Sequence, residues 1–230
     1  MRKKLPFDYV VDPKAIEKNS FEMIRTLTNL DGLDQSQQQV VMRIVHSVGM
    51  PEVADKVRFS ANACASGQAA LAAGAAILCD VEMVKQGITK RMIQQPPLCF
   101  LNDPRTVALA KSSGETRSMA ALTLWGDNLA GSIVVIGNAP TALFRLLEMI
   151  EQANEKESAE EGGEDCNNKP ALIIGMPVGF IGAAESKQAL WDVHERLGIE
   201  CITLLGNQGG SAVSSATCNA LLRCNKGEIY

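Results

Sequence analysis

Two stretches decide how this chain folds: SIVVIGNAPTALFRLL at residues 132–147 and ALIIGMPVGFIGAAESKQAL at residues 171–190. Each begins with a short, continuous apolar run, passes through a Gly/Pro turn and enters a pattern with helical periodicity. A run that is apolar on both faces is a strand covered on both sides, as in parallel sheets clothed by helices. In open sheets of that kind ligands settle beyond the carboxyl ends of the strands, where such turns gather. The two stretches therefore predict a mostly parallel sheet with a binding crevice at one edge.

Working outward, the same alternation recurs. AILCDV at 76–81, Leu98 to Leu101 and ECITLL at 200–205 read as further strands. Asp12 to Leu27, with Pro13 behind a capping Asp12, and Asp34 to Val48, ended by Gly49 and Pro51, read as amphipathic helices. Ser60 to Gly74 is rich in small residues and, as a helix, can approach another backbone closely. Short helices follow at VEMVKQG and from Thr106 to Ser112, and a longer one runs from Arg117 to Leu129. Glu151 to Pro170 is acidic and lacks periodicity, so it predicts a solvated, flexible loop at 151–169. The expected architecture is α/β: a single-domain three-layer α/β/α sandwich over residues 1–230.

Composition excludes several function classes. Aromatic residues make up only 4% of the chain and the formal net charge is −4, which removes both the stacking platform and the positive field that nucleic acids need. The basic start MRKKLPFDYVV has no apolar core, and no later run is long enough to cross a membrane, so a cytoplasmic location with no membrane partner is expected. Seven scattered cysteines, none in a CxxC pair, argue against a zinc site or a disulfide framework and for reduced thiols. Cys64 and Cys79 are candidate thiolates only in a sharper reading, because neither has a histidine or cation near it in sequence. Gly175, Gly179 and Gly182 are spaced GxxxGxxG, and no Gly-Lys-Ser/Thr occurs, so neither common nucleotide fingerprint is present. Gly175 and Gly179 can equally be turn residues.

Histidine is the side chain suited to moving protons near neutral pH, and the chain has two. His46 lies near the end of an apolar helix, three residues after Arg43 and on the same face. His194 sits in ALWDVHERLG among charged neighbours and reads as solvent-facing. Arg105 and Arg117 begin helices, where the macrodipole disfavours a cation, so each is either an anion receptor or the partner of Asp103 or Glu115. Ser20, Thr89, Thr141, Ser186 and Ser211 lie near turns and helix starts, where capping is the ordinary role. No GxSxG elbow surrounds any serine.

Taken together, RIVHSVG (43–49), AILCDVEMV (76–84), NDPRT (102–106), GETRSMAALTLW (114–125), GNAPTALF (137–144) and GMPVGFIGAAESK (175–187) resemble the precorrin-8X methylmutase family. The resemblance runs from about residue 8 to residue 222 and departs at the acidic Glu151–Lys169 segment and the short Gln94–Pro97 connection. It implies an isomerase of cobalamin biosynthesis that moves a methyl group from C11 to C12 of a tetrapyrrole, with His46 as proton donor and acceptor. It implies no metal site and no cofactor, cobalt being present only if the substrate carries it. Ser20 and Thr89 fall on polar pocket positions; Arg43, Arg105 and Arg117 suit the substrate carboxylates. Asn138, Thr141, Gly175 and Gly179 lie in the turns that a flat macrocycle would approach. A homodimer with sites near the subunit interface is expected. A corrinoid carrier that holds its product for the next enzyme is the non-enzymatic alternative, and a nucleotide enzyme using GMPVGFIG as a phosphate loop is a third reading.

Overall fold

The computed structural model describes residue 7, residues 9–159 and residues 168–230. Its sheet has five strands in the order β1-β5-β4-β3-β2, with β1 Val57–Phe59, β2 Ile77–Cys79, β3 Ile133–Ile136, β4 Leu172–Gly175 and β5 Cys201–Leu204. Strands β2 to β5 are parallel in register, whereas β1 runs antiparallel to β5. The helices are α1 Pro13–Leu27, α2 Gln35–Val48, α3 Ala63–Ala72, α4 Glu82–Gly87, α5 Pro104–Ser113, α6 Arg117–Leu122, α7 Pro140–Ala159, α8 Ala183–Leu197 and α9 Ser211–Asn225.

Every residue of β3 and β4 is buried, as continuous apolar strands require. Alternate residues face two cores. Ile133, Val135, Leu172, Ile174 and Ile202 join α1 to α4 and α9 on one side. Val134, Ile136, Ile173 and Cys201 meet Leu122, Leu143, Leu146, Leu190 and Leu197 of α6, α7 and α8 on the other. This is the three-layer α/β/α sandwich. Close approach is built in at Gly67 of α3, where a Cβ would come within 2.6 Å of Leu172 Cδ2 and 2.9 Å of Leu221 Cδ1.

The helix ends follow local chemistry. Asp34 Oδ1 accepts from Gln37 N at 2.8 Å while the Gln37 side chain returns a bond to Asp34 N, a complete capping box, and Gly49 closes α2 at φ 67°. Asp12 caps α1 and Asp103 caps α5, each followed by proline.

Three expectations about the elements need correction, and one strand was not foreseen. Leu98–Leu101 is not a strand; only Leu98 forms a single parallel bridge, to Leu78. The helix begun at Arg117 stops at Leu122 and gives way to turns through Trp125 and Gly126. The acidic segment is not loop from Glu151 onward: α7 continues to Ala159, because Ile150 and its neighbours seat the helix on the second core; residues 160–167 lie outside the described residues. Strand β1, three residues of VRF, went unpredicted because its length and mixed burial leave no periodic signal.

Candidate active site

Because β1 is antiparallel, the 3-10 turn Pro51–Lys56 that feeds it lies at the carboxyl edge of the parallel strands, and Leu205 N donates to Lys56 O at 3.0 Å. Helix α2 ends just before this turn, so its last turn brings His46 to the edge where the loops after β4 and β5 emerge. His46 is exposed. It lines a cleft of about 260 Å³ with Ser20, Met23, Ile24, Leu27, Val45, Gly49 and Pro51. The walls are mostly apolar. The Ser20 hydroxyl donates to Ile16 O at 2.8 Å, which leaves its lone pairs available to a ligand.

Behind His46 lies an aromatic and cationic stack. The imidazole stacks on Phe21 at 5.2 Å, Phe21 stacks on Tyr230 at 4.4 Å, and the Arg43 guanidinium lies 4.3 Å from the Phe21 ring centroid. Arg43 Nη2 donates to Glu17 Oε1 at 2.9 Å, and Arg223 approaches the same carboxylate at 3.8 Å. Burial pushes the Glu17 carboxyl upward, but hydrogen bonds from Arg43 and Tyr230 and the charges of Arg43 and Arg223 outweigh it, so its pKa is lowered from 4.5. Beyond Phe21 opens a cavity of about 700 Å³ lined by Lys14, Lys18, Arg25, Arg91 and Arg223, with Glu17, Glu22 and Glu228 among its acidic members.

The other expected residues lie outside that cleft. Thr141 Oγ1 lies 3.1 Å from Thr116 Oγ1, and Arg117 Nη1 is 3.4 Å from Asn102 Oδ1. Arg105 is exposed and forms a bidentate pair with Asp103, at 3.0 and 2.8 Å, which holds the Asp103 carboxyl down at about 2. Glu115 pairs with Arg145 rather than with Arg117. Asn138 is exposed at the turn after β3; Thr89 is half-buried, its N–H donating to Asn219 Oδ1 at 2.8 Å. Gly175 ends β4, packed so that a Cβ would lie 2.7 Å from Leu190 Cδ2, while Gly179 N donates to Asn207 O at 3.2 Å. The cleft of His46 thus takes in Ser20 and none of the other expected contacts.

His194 is not solvent-facing. It is buried, stacks on Trp191 at 4.6 Å and bonds through Nδ1 to Trp191 O at 2.6 Å, because its position falls on the inner face of α8 with Leu190 and Leu197. Cys64 and Cys79 are free and buried; burial pushes the Cys64 thiol up to about 12 and raises Cys79 too, which suits neither to nucleophilic work. Among the described residues no cluster of three or more His, Cys, Asp or Glu could hold a metal ion, and no helix is long and apolar enough to cross a membrane.

Four positions that shape the site region carry no local signal that marks them as such. Phe21 meets His46, and Tyr230 meets Phe21, only through tertiary packing, so no local signal marks them. Asp80 is a charged residue closing an apolar strand: it is buried, and its carboxylate accepts from the N–H groups of Gly137, Asn138 and Ala139 at 3.1, 2.8 and 2.8 Å. Burial raises its pKa, against the pull of those amides. Lys187, four residues after Ala183 and three before Leu190, shares their buried face, a placement that the helical period could have revealed.

An open sheet with a solvent-facing imidazole in a cleft at its carboxyl edge defines an α/β enzyme. The sequence profile of precorrin-8X methylmutase matches residues 15–224. A precorrin-8X methylmutase of Pseudomonas aeruginosa is 45% identical over 216 residues, 93% of this chain and 97% of its own. A cobalt-precorrin-8 methylmutase of Salmonella typhimurium is 34% identical over 223 residues, 93% of this chain and 96% of its own. The crystal structure of precorrin-8X methylmutase from Thermus thermophilus superposes with a TM-score of 0.78 at 31% identity, covering 94% of this chain and 100% of that one. The chain belongs to the precorrin-8X methylmutase family, isomerases of cobalamin biosynthesis that transfer a methyl group within one molecule.

Proposed function

We propose that this chain moves the methyl group of precorrin-8X, or of cobalt-precorrin-8, from C11 to C12, with His46 as the proton donor and acceptor. The observation that carries the reading is the placement of His46: exposed in an apolar-walled cleft, its ring braced by Phe21. A braced imidazole keeps its orientation while its free edge meets the ligand. Proton transfer from the imidazolium to a ring nitrogen draws electron density out of the conjugated system. The C11–methyl bond then breaks as the C12–methyl bond forms, and the proton returns to the imidazole. The reaction is redox-neutral, so it needs no cofactor of the protein's own. Cobalt, where present, belongs to the substrate.

The acetate and propionate side chains of a tetrapyrrole call for cations and backbone amides. Arg117, and Lys14, Lys18 and Arg91 of the cavity beyond Phe21, would supply the cations, while Arg43 is clamped by Glu17 and so orders the wall more than it reaches out. A cleft of about 260 Å³ is small even for a drug-sized ligand. The site is completed by a second copy. Phe180 and Ile181, each 92% exposed in the loop after β4, and Met23 and Leu27 beside the cleft supply the apolar surface for it. Anaerobic incubation of the purified protein with metal-free and cobalt-loaded substrate tests the reading. Conversion of either to its hydrogenobyrinate-type product supports it, and failure to convert both refutes it. Tight product binding without turnover would favour a carrier.

A further inference from the structure

Lys187 is a buried ionisable group that the reaction does not use. Its side chain is fully covered, yet no carboxylate pairs with it among the described residues. Its ammonium donates to Gln208 O, and the charged group that acts on it is Lys56, a repulsive neighbour in the turn before β1. Burial, with Lys56, holds its pKa down to about 8 from 10.5. A lone buried cation is costly to maintain and calls for an anion that arrives from outside.

The grip on Gln208 has a stereochemical consequence. The peptide is trans, so the Gln208 carbonyl and the Gly209 N–H point in opposite directions. With the carbonyl drawn down onto Lys187, the Gly209 N–H turns away from the buried ammonium. That N–H finds no acceptor among the described residues, and Gly209 is partly exposed. The surrounding turn is tied to the loop after β4. Gly210 N donates to Met176 O at 2.8 Å and Gly179 N to Asn207 O at 3.2 Å, and a Cβ on Gly209 would sit 2.3 Å from Met176 O. The Gln208 side chain in turn accepts from Lys56 Nζ at 3.1 Å and donates to Met50 Sδ at 3.7 Å, just past the helix that carries His46.

We propose that Lys187 is a positioning residue for substrate binding: it holds the Gln208–Gly209 peptide with the N–H directed outward, polarised by the ammonium beneath, to receive a carboxylate of the anionic macrocycle. The proposal rests on the tetrapyrrole reading above and assigns one of its anchoring points to a backbone amide tuned from the core. A carboxylate bound there stabilises the charged lysine across the peptide, so binding and protonation of Lys187 are linked.

The test is absorbance titration of the wild type, Lys187→Met and Lys187→Arg with hydrogenobyrinate and with its methyl-esterified form, between about pH 6.5 and about pH 9.5. The wild type should lose affinity for the acid as pH rises through about 8. Lys187→Met should bind the acid about tenfold more weakly near neutrality, with that pH step gone and with kcat changed far less than KM. Lys187→Arg, which keeps the charge, should recover part of the loss, and the ester should not distinguish the proteins. In the wild type the Gly209 amide proton should also move downfield on binding, a readout that stands even where a variant fails to fold. Wild-type-like affinity and pH dependence in Lys187→Met, or an unmoved Gly209 resonance, overturns the proposal while leaving the enzyme reading intact. A wild type that neither binds nor converts the tetrapyrrole overturns both.

Discussion

Replacing Asp80 with alanine should show how much of the crevice floor depends on one buried carboxylate. Its oxygens receive three backbone N–H groups from the turn that joins β3 to α7. Gly137 and Ala139 are buried, whereas Asn138 is exposed, so water can replace the carboxylate at only one of the three donors. Two stranded buried amides cost about 1–3 kcal/mol each. Relief from burying a carboxylate offsets part of this, which leaves a net loss of about 3 kcal/mol. For a chain of this size that lowers Tm by about 6–12 °C. Asp80→Asn keeps an acceptor for Asn138 and Ala139 but turns an NH2 toward Gly137, so it should fall about midway between the two. Urea unfolding at fixed protein concentration measures both, read as a fall in the midpoint at unchanged slope. A midpoint for Asp80→Ala within about 0.5 kcal/mol of the wild type would refute the reasoning, since the turn would then hold without its anchor.

Other consequences are more local. Since its neighbours lower the pKa of Glu17 from 4.5, the stability it contributes is present above 4.5 and lost as pH falls through the folded value. Thermal melts should therefore show Glu17→Gln with a shallower acid decline than the wild type. Gly209→Ala drives a Cβ against the Met176 carbonyl at 2.3 Å and should cost about 2 kcal/mol or more in chemical denaturation. Phe180→Ala combined with Ile181→Ala removes side chains that are 92% exposed, so the stability of the subunit should change by less than about 0.5 kcal/mol, while sedimentation should show weaker association of the proposed dimer.

Much of the fold was legible because burial on both faces leaves an unmistakable trace. IVVI and LIIG are apolar at every position, and their glycine and proline turns mark where each strand ends. Helices α1 and α2 were equally plain from Asp12, Asp34 and Gly49 at their ends. What escaped was set by tertiary contact. Three residues of β1 carry no period, and Leu98 to Leu101 has the composition of a strand without a partner along its length. His194 has charged neighbours in sequence but falls on the inner face of α8, where period 3.6 outranks local polarity. At the candidate site, His46 and Arg43 were visible from one helix face, but Phe21, Glu17 and Tyr230, which brace them, come from distant parts of the chain.

The central claim is that His46 lends and recovers the proton during the methyl shift. The most direct test compares the wild type with His46→Ala in anaerobic conversion of precorrin-8X, with hydrogenobyrinate binding measured alongside. The rate should be lower by about a thousandfold in the variant, with product affinity changed by less than about threefold. Turnover by His46→Ala at the wild-type rate would contradict it.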